Sequence, residues 1–220
     1  MKIYIGHDLR FPQATRVCRK SIEDNSEKGE HLIKYLNRKQ LTRIGIYGKG
    51  PVEGESTEFS FTRFYVPLLS HYEGVSMFVD NDFVFKANPS ELEKYLKDKP
   101  LACVKHELDE EKIYDEKFDH FVNKSYPKKC WSSLMLFNNS KLKHLTKDYL
   151  DNASAADLHQ LEWVDDKDIS EIPRSWNHLV GYYKKHNRIK AIHYTQGGPW
   201  FESRKNDELS EEWWNIYKNL

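Results

Sequence analysis

Strands alternating with helices along 220 residues predict an α/β domain with a mostly parallel central sheet flanked by helices, with room for an antiparallel strand among the late elements. Three segments carry the prediction. Lys2-Ile3-Tyr4-Ile5 is a β-branched and aromatic run that ends in Gly6-His7-Asp8, so a first strand delivers polar groups at its carboxyl end. Pro12 then precedes Ala14, Val17, Cys18, Ser21 and Ile22 at three-and-four spacing, which gives one apolar helix face with Pro in the first turn. Val75-Ser76-Met77-Phe78-Val79 is a nearly continuous apolar run, as in a strand covered on both faces, and it stops at Asp80-Asn81-Asp82.

The remaining elements follow in order. A second strand includes Leu32 to Leu36. Phe61, Phe64, Tyr65, Leu68 and Leu69 have helical spacing, with Pro67 kinking this helix or lying near one of its ends and Arg63 beside the stripe. Asn88-Pro89-Ser90-Glu91 sets an N-cap, a Pro and a Glu ahead of Leu92 and Tyr95, a strong helix start. Leu101 to Val104 reads as a strand, as does Trp131 to Asn138, and Ser140 and Ser154 each open a helix by capping. Ile189 to Tyr194 is the last strand; Leu209, Trp213, Ile216, Tyr217 and Leu220 give a final helix whose tryptophans pack. Residues 106–129 are charged, aperiodic and too long for an ordinary connection, so they form a functional loop or small subdomain within one domain spanning 1–220.

Composition narrows the function. Hydrophobic residues at 39% supply one sizeable core, and 34 basic against 34 acidic residues leave no net field for a polyanion, which argues against a nucleic-acid partner. No uncharged stretch is long enough to cross a bilayer, and the first residues are too short an apolar run for a signal peptide, so the expected address is cytoplasmic. Cys18, Cys103 and Cys130 are odd in number and widely spaced, hence reduced thiols rather than a zinc or disulfide set.

Oxygen and nitrogen ligands remain. Asp80 and Asp82 flank one residue after a buried strand, where a turn can aim both carboxylates at a common point and a divalent cation would relieve their repulsion. Two carboxylates with phosphate oxygens and water suit Mg²⁺ or Mn²⁺, and an imidazole such as His193 tilts the choice to manganese. The same residues also fit a solvated turn with Asn81 or Asp82 capping backbone groups, and a core histidine. After His193, Gly197-Gly198-Pro199-Trp200 is either an ordinary turn or a place where backbone N–H groups approach an anion.

Taken together, an Asp-x-Asp after an apolar strand, an Arg about a helix earlier and a late His-x-x-x-Gly-Gly-Pro-Trp resemble the retaining GT-A glycosyltransferases related to glycogenin and the lipopolysaccharide galactosyltransferases. The resemblance spans most of the chain and implies a GT-A-like, Rossmann-like domain. It implies that Asp80, Asp82 and His193 bind Mn²⁺ (or Mg²⁺), which holds the diphosphate of a nucleotide-sugar donor, expected to be a UDP-sugar. It further implies that Arg63 contacts the donor near its sugar, that His7 and Asp8 contact the nucleoside, and that Asn81, Gly197, Gly198 and Trp200 belong to the donor site. Asp157 and Gln160 fall where the family carries residues beside the reacting sugar carbon, although Ser154-Ala155-Ala156-Asp157 is also a capping box; His159 shares this segment, and Trp176-Asn177 matches a family aromatic-Asn pair loosely. The implied reaction is sugar transfer with retention to an acceptor hydroxyl on a saccharide, lipid-linked glycan or protein.

Departures accompany the likeness. The family's usual His-x-x-Gly-x-x-Lys-Pro-Trp loop is one residue shorter here and Gly198 stands where the lysine is expected, leaving Lys105 or Arg204 to supply the charge. Trp131-Ser132-Ser133 replaces the usual Asn-Ala-Gly. A metal-dependent nucleotidyltransferase and a catalytically silent nucleotide-sugar-binding module are the alternatives.

Overall fold

A computed structural model describes residues 1–50, 52, 55–108, 116–117, 121–122 and 127–220. Strand β1 (Lys2–His7) feeds helix α1 (Pro12–Asp24), with Pro12 in its first turn, and the chain returns along β2 (Leu32–Asn37). Asn37 then caps the short helix α2 (Arg38–Arg43) by accepting from the Gln40 N–H. The expected helix around Arg63 divides in two. Thr62–Tyr65 is a 3₁₀ turn, and α3 (Val66–Leu69) begins with Pro67 in its first turn, where the missing N–H has no intrahelical partner to lose.

Strand β3 (Val75–Val79) ends at the Asp80 turn, and β4 (Phe83–Phe85) leaves it. Asn88 caps as expected, accepting from the Ser90 N–H, but residues Pro89–Tyr95 wind as 3₁₀. Strand β5 (Leu101–Cys103) follows; β6 (Glu116–Lys117) and β7 (Phe121–Val122) pair antiparallel inside the 106–129 segment, most of which lies outside the described residues.

Strand β8 (Leu134–Asn138) is shorter than its apolar run, because Cys130 adopts a left-handed φ of 65° and Trp131–Ser133 curl into a 3₁₀ turn. Helix α4 (Lys147–Asn152) is capped by Thr146, whose side chain accepts from the Tyr149 N–H; the expectation that Ser140 opens a helix fails, since its hydroxyl bonds Asn138 Oδ1 within a 3₁₀ turn. Ser154 does cap α5 (Ala155–His159). Strands β9 (Ile169–Glu171), β10 (His178–Leu179) and β11 (Ala191–His193) and helix α6 (Ser210–Tyr217) complete the order.

The main sheet has six strands in the order β2-β1-β3-β8-β5-β9. All neighbours are parallel except β8, which runs against both β3 and β5. Its two faces hold separate clusters: Tyr4, Phe78, Met135 and Phe137 point to one, while Ile3, Ile5, Met77, Val79, Leu134 and Leu136 point to the other. Burial on both faces is why these strands are continuously apolar.

A smaller sheet, β10-β11-β4, lies beside the first. Here β11 pairs antiparallel with β4 in the register His193 opposite Phe83. A third cluster packs Val17 of α1 and Trp213 of α6 with Val84 and Ile192 from this sheet, the packing role expected of Trp213.

Gly6 closes β1 beneath the Phe59 ring, and a Cβ there would come within 2.5 Å of ring carbons. Gly6→Ala is therefore expected to destabilise by about 1–3 kcal/mol, measured by urea unfolding, and Phe59→Leu in the same chain should recover part of that loss.

Candidate metal centre

The turn between β3 and β4 is fixed from three directions. Asp80 N–H donates to the Ser133 carbonyl at 2.9 Å, Asn81 Nδ2 donates to Thr15 Oγ1 of α1 at 3.3 Å, and Tyr194 N–H donates to the Asp82 carbonyl at 3.0 Å. The last of these, with the β4–β11 register, carries His193 to the turn. One ligand atom each from Asp80, Asp82 and His193 lies within 4.8 Å of the others. His193 Nε2 is 3.3 Å from Asp82 Oδ1, and both residues are almost fully buried, at 1% and 5% exposure.

This donor set fits a hard to borderline divalent cation. Adjacent ligands of an octahedral ion at about 2.1 Å stand about 3 Å from each other, close to the Asp82–His193 separation. Mixed carboxylate and imidazole ligation suits manganese or magnesium better than a thiolate-seeking metal. The imidazole is held on its other edge by Asn177 Oδ1, 2.8 Å from Nδ1, and on its face by Phe83, with ring centroids 4.3 Å apart.

Arg63 meets the Asp80 side of the cluster. Its Nη1 lies 2.9 Å from Asp80 Oδ1 and donates to the Ser132 carbonyl at 2.9 Å, and its guanidinium sits 4.8 Å above the Phe78 ring centroid. A buried guanidinium with carbonyl, carboxylate and π contacts stays charged and oriented.

Arg63, Asp80 and His193 share the lining of a cleft of about 370 Å³ with Gln160, His159, Ser60, Ser132 and Thr195. His159 stands edge-on to Phe61 and Phe64, its Nδ1 3.4 Å from Ser132 Oγ; burial, with the nearby Arg63 charge, lowers its pKa to about 3, so the ring is neutral. Ser60 and Thr195 carry no sequence signal beyond lying near site residues, whereas Ser132 stands in the Trp131-Ser132-Ser133 stretch that replaces the usual Asn-Ala-Gly.

Other expected site residues lie elsewhere or are otherwise engaged. Asp157 is exposed, and its carboxylate accepts the Ser154 N–H at 3.0 Å in a complete capping box; its neighbours Ala155 and Ala156 face the cleft instead. The His7 ring stacks on Tyr35 and its Nδ1 is 3.2 Å from Thr15 Oγ1, the hydroxyl that also receives Asn81. The Asp8 carboxylate is buried. Burial alone would raise its pKa, but three bonds from Arg10 and one from the Glu58 N–H outweigh it and leave the group below the usual range.

Gly197 adopts φ 116°, and its N–H is spent on the Tyr194 carbonyl at 2.9 Å within the turn, so that amide does not serve as an anion donor in this geometry. Gly198 is a packing position: a Cβ would lie 2.0 Å from the Trp200 ring, which continues into Trp213 of α6 at 5.5 Å between centroids. Arg204 is 3.3 Å from Asp207, and Lys105 rests over Trp131, neighbour of Ser132.

No protein-family model matches the chain. In sequence it is 37% identical over 226 residues to Protein CDI of Arabidopsis thaliana, across 97% of this chain and 85% of that one. In structure it is similar to the bifunctional glycosyltransferase WbbM, with a TM-score of 0.69 and 15% identity, over all of this chain and 50% of that one. It is also similar to an active-site mutant of LgtC, with a TM-score of 0.63 and 14% identity over 100% and 96% of the two chains. The glycosyltransferase GlyE of Streptococcus pneumoniae TIGR4 matches with a TM-score of 0.60 and 17% identity, over 98% and 60%. The chain thus has the GT-A glycosyltransferase fold, and it spans about half the length of WbbM.

Burial also holds His106 neutral, with a pKa lowered to about 3, helped by the neighbouring His193 and Arg174. Below about pH 6.5 an unfolded histidine gains a proton that folded His106 refuses, so stability falls as pH drops, by about 1 kcal/mol per pH unit. Urea unfolding of metal-free protein from pH 7 to 5 should show at least this slope, because His159 is held neutral in the same way, and His106→Gln should reduce it by about 1 kcal/mol per pH unit.

Proposed function

The chain belongs to the family of Protein CDI from Arabidopsis thaliana, and with its GT-A fold as a further premise we propose that it is a metal-dependent glycosyltransferase using a nucleotide-diphosphate sugar, a UDP-sugar by preference. The observation that carries this reading is the meeting of Asp80, Asp82 and His193 at a cleft also lined by Arg63 and Gln160. LgtC, which shares the fold, has been crystallised with donor and acceptor sugar analogues.

Asp80, Asp82 and His193 would hold Mn²⁺ or Mg²⁺, which when bound supplies Lewis-acid stabilisation of the departing diphosphate. Arg63 offers a forked, permanently charged donor on the same side. The neutral side chains of His159, Gln160, Ser60 and Ser132 form a polar wall that can orient sugar hydroxyls without adding charge. Asp157 acts in the reaction only if its cap opens; Gln160 is the better-placed catalytic contact.

Among the described residues, the carboxylates lining this cleft are Asp80, paired to Arg63, and Glu55, paired to Arg38. Neither is a free nucleophile, which favours retention by same-face attack: the acceptor oxygen bonds to the anomeric carbon as the diphosphate leaves and takes the acceptor proton. His7 and Asp8 would meet the nucleoside, and Asn81 and Trp200 would buttress the diphosphate side. The acceptor is a hydroxyl of a saccharide, a lipid-linked glycan or a protein. Three buried free cysteines suit a cytoplasmic address, and no helix among the described residues is long and apolar enough to cross a membrane.

Asp80→Ala and Asp82→Ala are each expected to lower Mn²⁺-dependent release of nucleoside diphosphate by about 100-fold or more while leaving the circular dichroism spectrum unchanged. A thermal-shift panel of nucleotide sugars with and without Mn²⁺ should pick out the donor. Pyrophosphate as product would turn the reading to nucleotidyl transfer, and donor binding without turnover to a silent module.

A further inference from the structure

His193 is held by a directed chain of buried hydrogen bonds. The Cys130 carbonyl can only accept, and it receives the Ser133 hydroxyl proton at 2.7 Å. With that proton used, Ser133 Oγ is an acceptor, and Asn177 Nδ2 donates to it at 2.9 Å. The Asn177 amide is thereby oriented with its oxygen toward His193 Nδ1, 2.8 Å away. A reversed amide would set its oxygen against a hydroxyl oxygen whose only proton is already donated. Both Asn177 and Ser133 are buried, at 0% and 3% exposure, so water does not blur these roles.

We infer that Asn177, oriented by Ser133, is the positioning residue that fixes the His193 tautomer, holding the proton on Nδ1 and aiming the Nε2 lone pair at the metal position. A neutral imidazole has one donor and one acceptor nitrogen, and an amide oxygen at 2.8 Å requires the donor to be Nδ1. Nε2 then faces Asp82 Oδ1 at 3.3 Å as acceptor to acceptor, an arrangement that a cation between them resolves.

The backbone makes the same connection rigid. Asn177 immediately precedes β10, whose Leu179 is in register with His193, so its distance from the imidazole is set by strand pairing. Ser133 acts on two ligands: its carbonyl receives the Asp80 N–H at 2.9 Å, while its hydroxyl orients Asn177 and, through it, His193. The left-handed φ of Cys130 curls the chain so that one carbonyl accepts both the N–H and the hydroxyl of Ser133.

This inference rests on the metal-binding part of the proposed function, and its test separates the two. The full chain is titrated with Mn²⁺ by calorimetry, and the metal-free protein is examined by long-range ¹H–¹⁵N NMR of the histidine rings, with His193→Gln used to assign the signal. Wild type is expected to bind Mn²⁺ and to show His193 protonated on Nδ1. Asn177→Leu should weaken Mn²⁺ binding about 10–100-fold and redistribute the tautomer, whereas Asn177→Asp, which keeps an acceptor facing Nδ1, should stay within a few-fold of wild type. Ser133→Ala should shift the tautomer in the same sense as Asn177→Leu. Wild type that binds no Mn²⁺ overturns both readings. Wild type that binds Mn²⁺ while carrying the His193 proton on Nε2, or an Asn177→Leu protein that folds and matches wild type in affinity and tautomer, overturns the positioning role alone.

Discussion

The antiparallel pairing of β4 with β11 is the constraint on which the site depends. One strand leaves the Asp80-Asn81-Asp82 turn and the other ends at His193, so the register of Phe83 against His193 brings carboxylates and imidazole together. A shift of one residue would turn the imidazole to the opposite face of the small sheet. Phe83 reinforces the register by stacking on the ring, and the Tyr194 N–H closes the turn through the Asp82 carbonyl.

Around that pairing the molecule concentrates charge where burial makes charge costly. Asp82 and Arg63 lie almost out of solvent, and Asp80 is little more exposed. Arg63 beside Asp80 supplies the opposing charge, and Phe78 gives the guanidinium a π face on the core side. The histidines placed nearby, His106 and His159, are kept neutral by burial and add no competing positive charge. The cleft therefore presents a compact set of charges within a largely uncharged polar wall.

Periodic, doubly covered strands were the most legible part of the chain. Continuous apolar runs placed β1, β3 and β8, and Asn88 and Ser154 capped as their side chains suggest. Sequence overstated regularity where local bonds outcompete the helix: Pro89–Tyr95 and Thr62–Tyr65 are 3₁₀, and Ser140 bonds Asn138 instead of opening a helix. The candidate cluster of Asp80, Asp82 and His193 could be picked out in the sequence because its residue types are unusual in combination. The roles of Ser133 and Asn177 were not, since serine and asparagine are common and their value lies in which atom faces which neighbour. Gly198 shows the converse: its sequence suggests either an ordinary turn or an approach to an anion, and close contact with the Trp200 ring accounts for the missing side chain.

The β4–β11 register also has a consequence in time. Asp82 and His193 are separated by about half the chain, so at ordinary synthesis rates the imidazole leaves the ribosome on the order of 10 s after the carboxylates. For that interval the nascent chain carries both aspartates without their third ligand and without the Trp200–Trp213 contact that seats the following loop on α6. The candidate centre is therefore assembled only once β11 has been made, so chains cut short before β11 would retain the acidic residues but lack the mixed carboxylate and imidazole set.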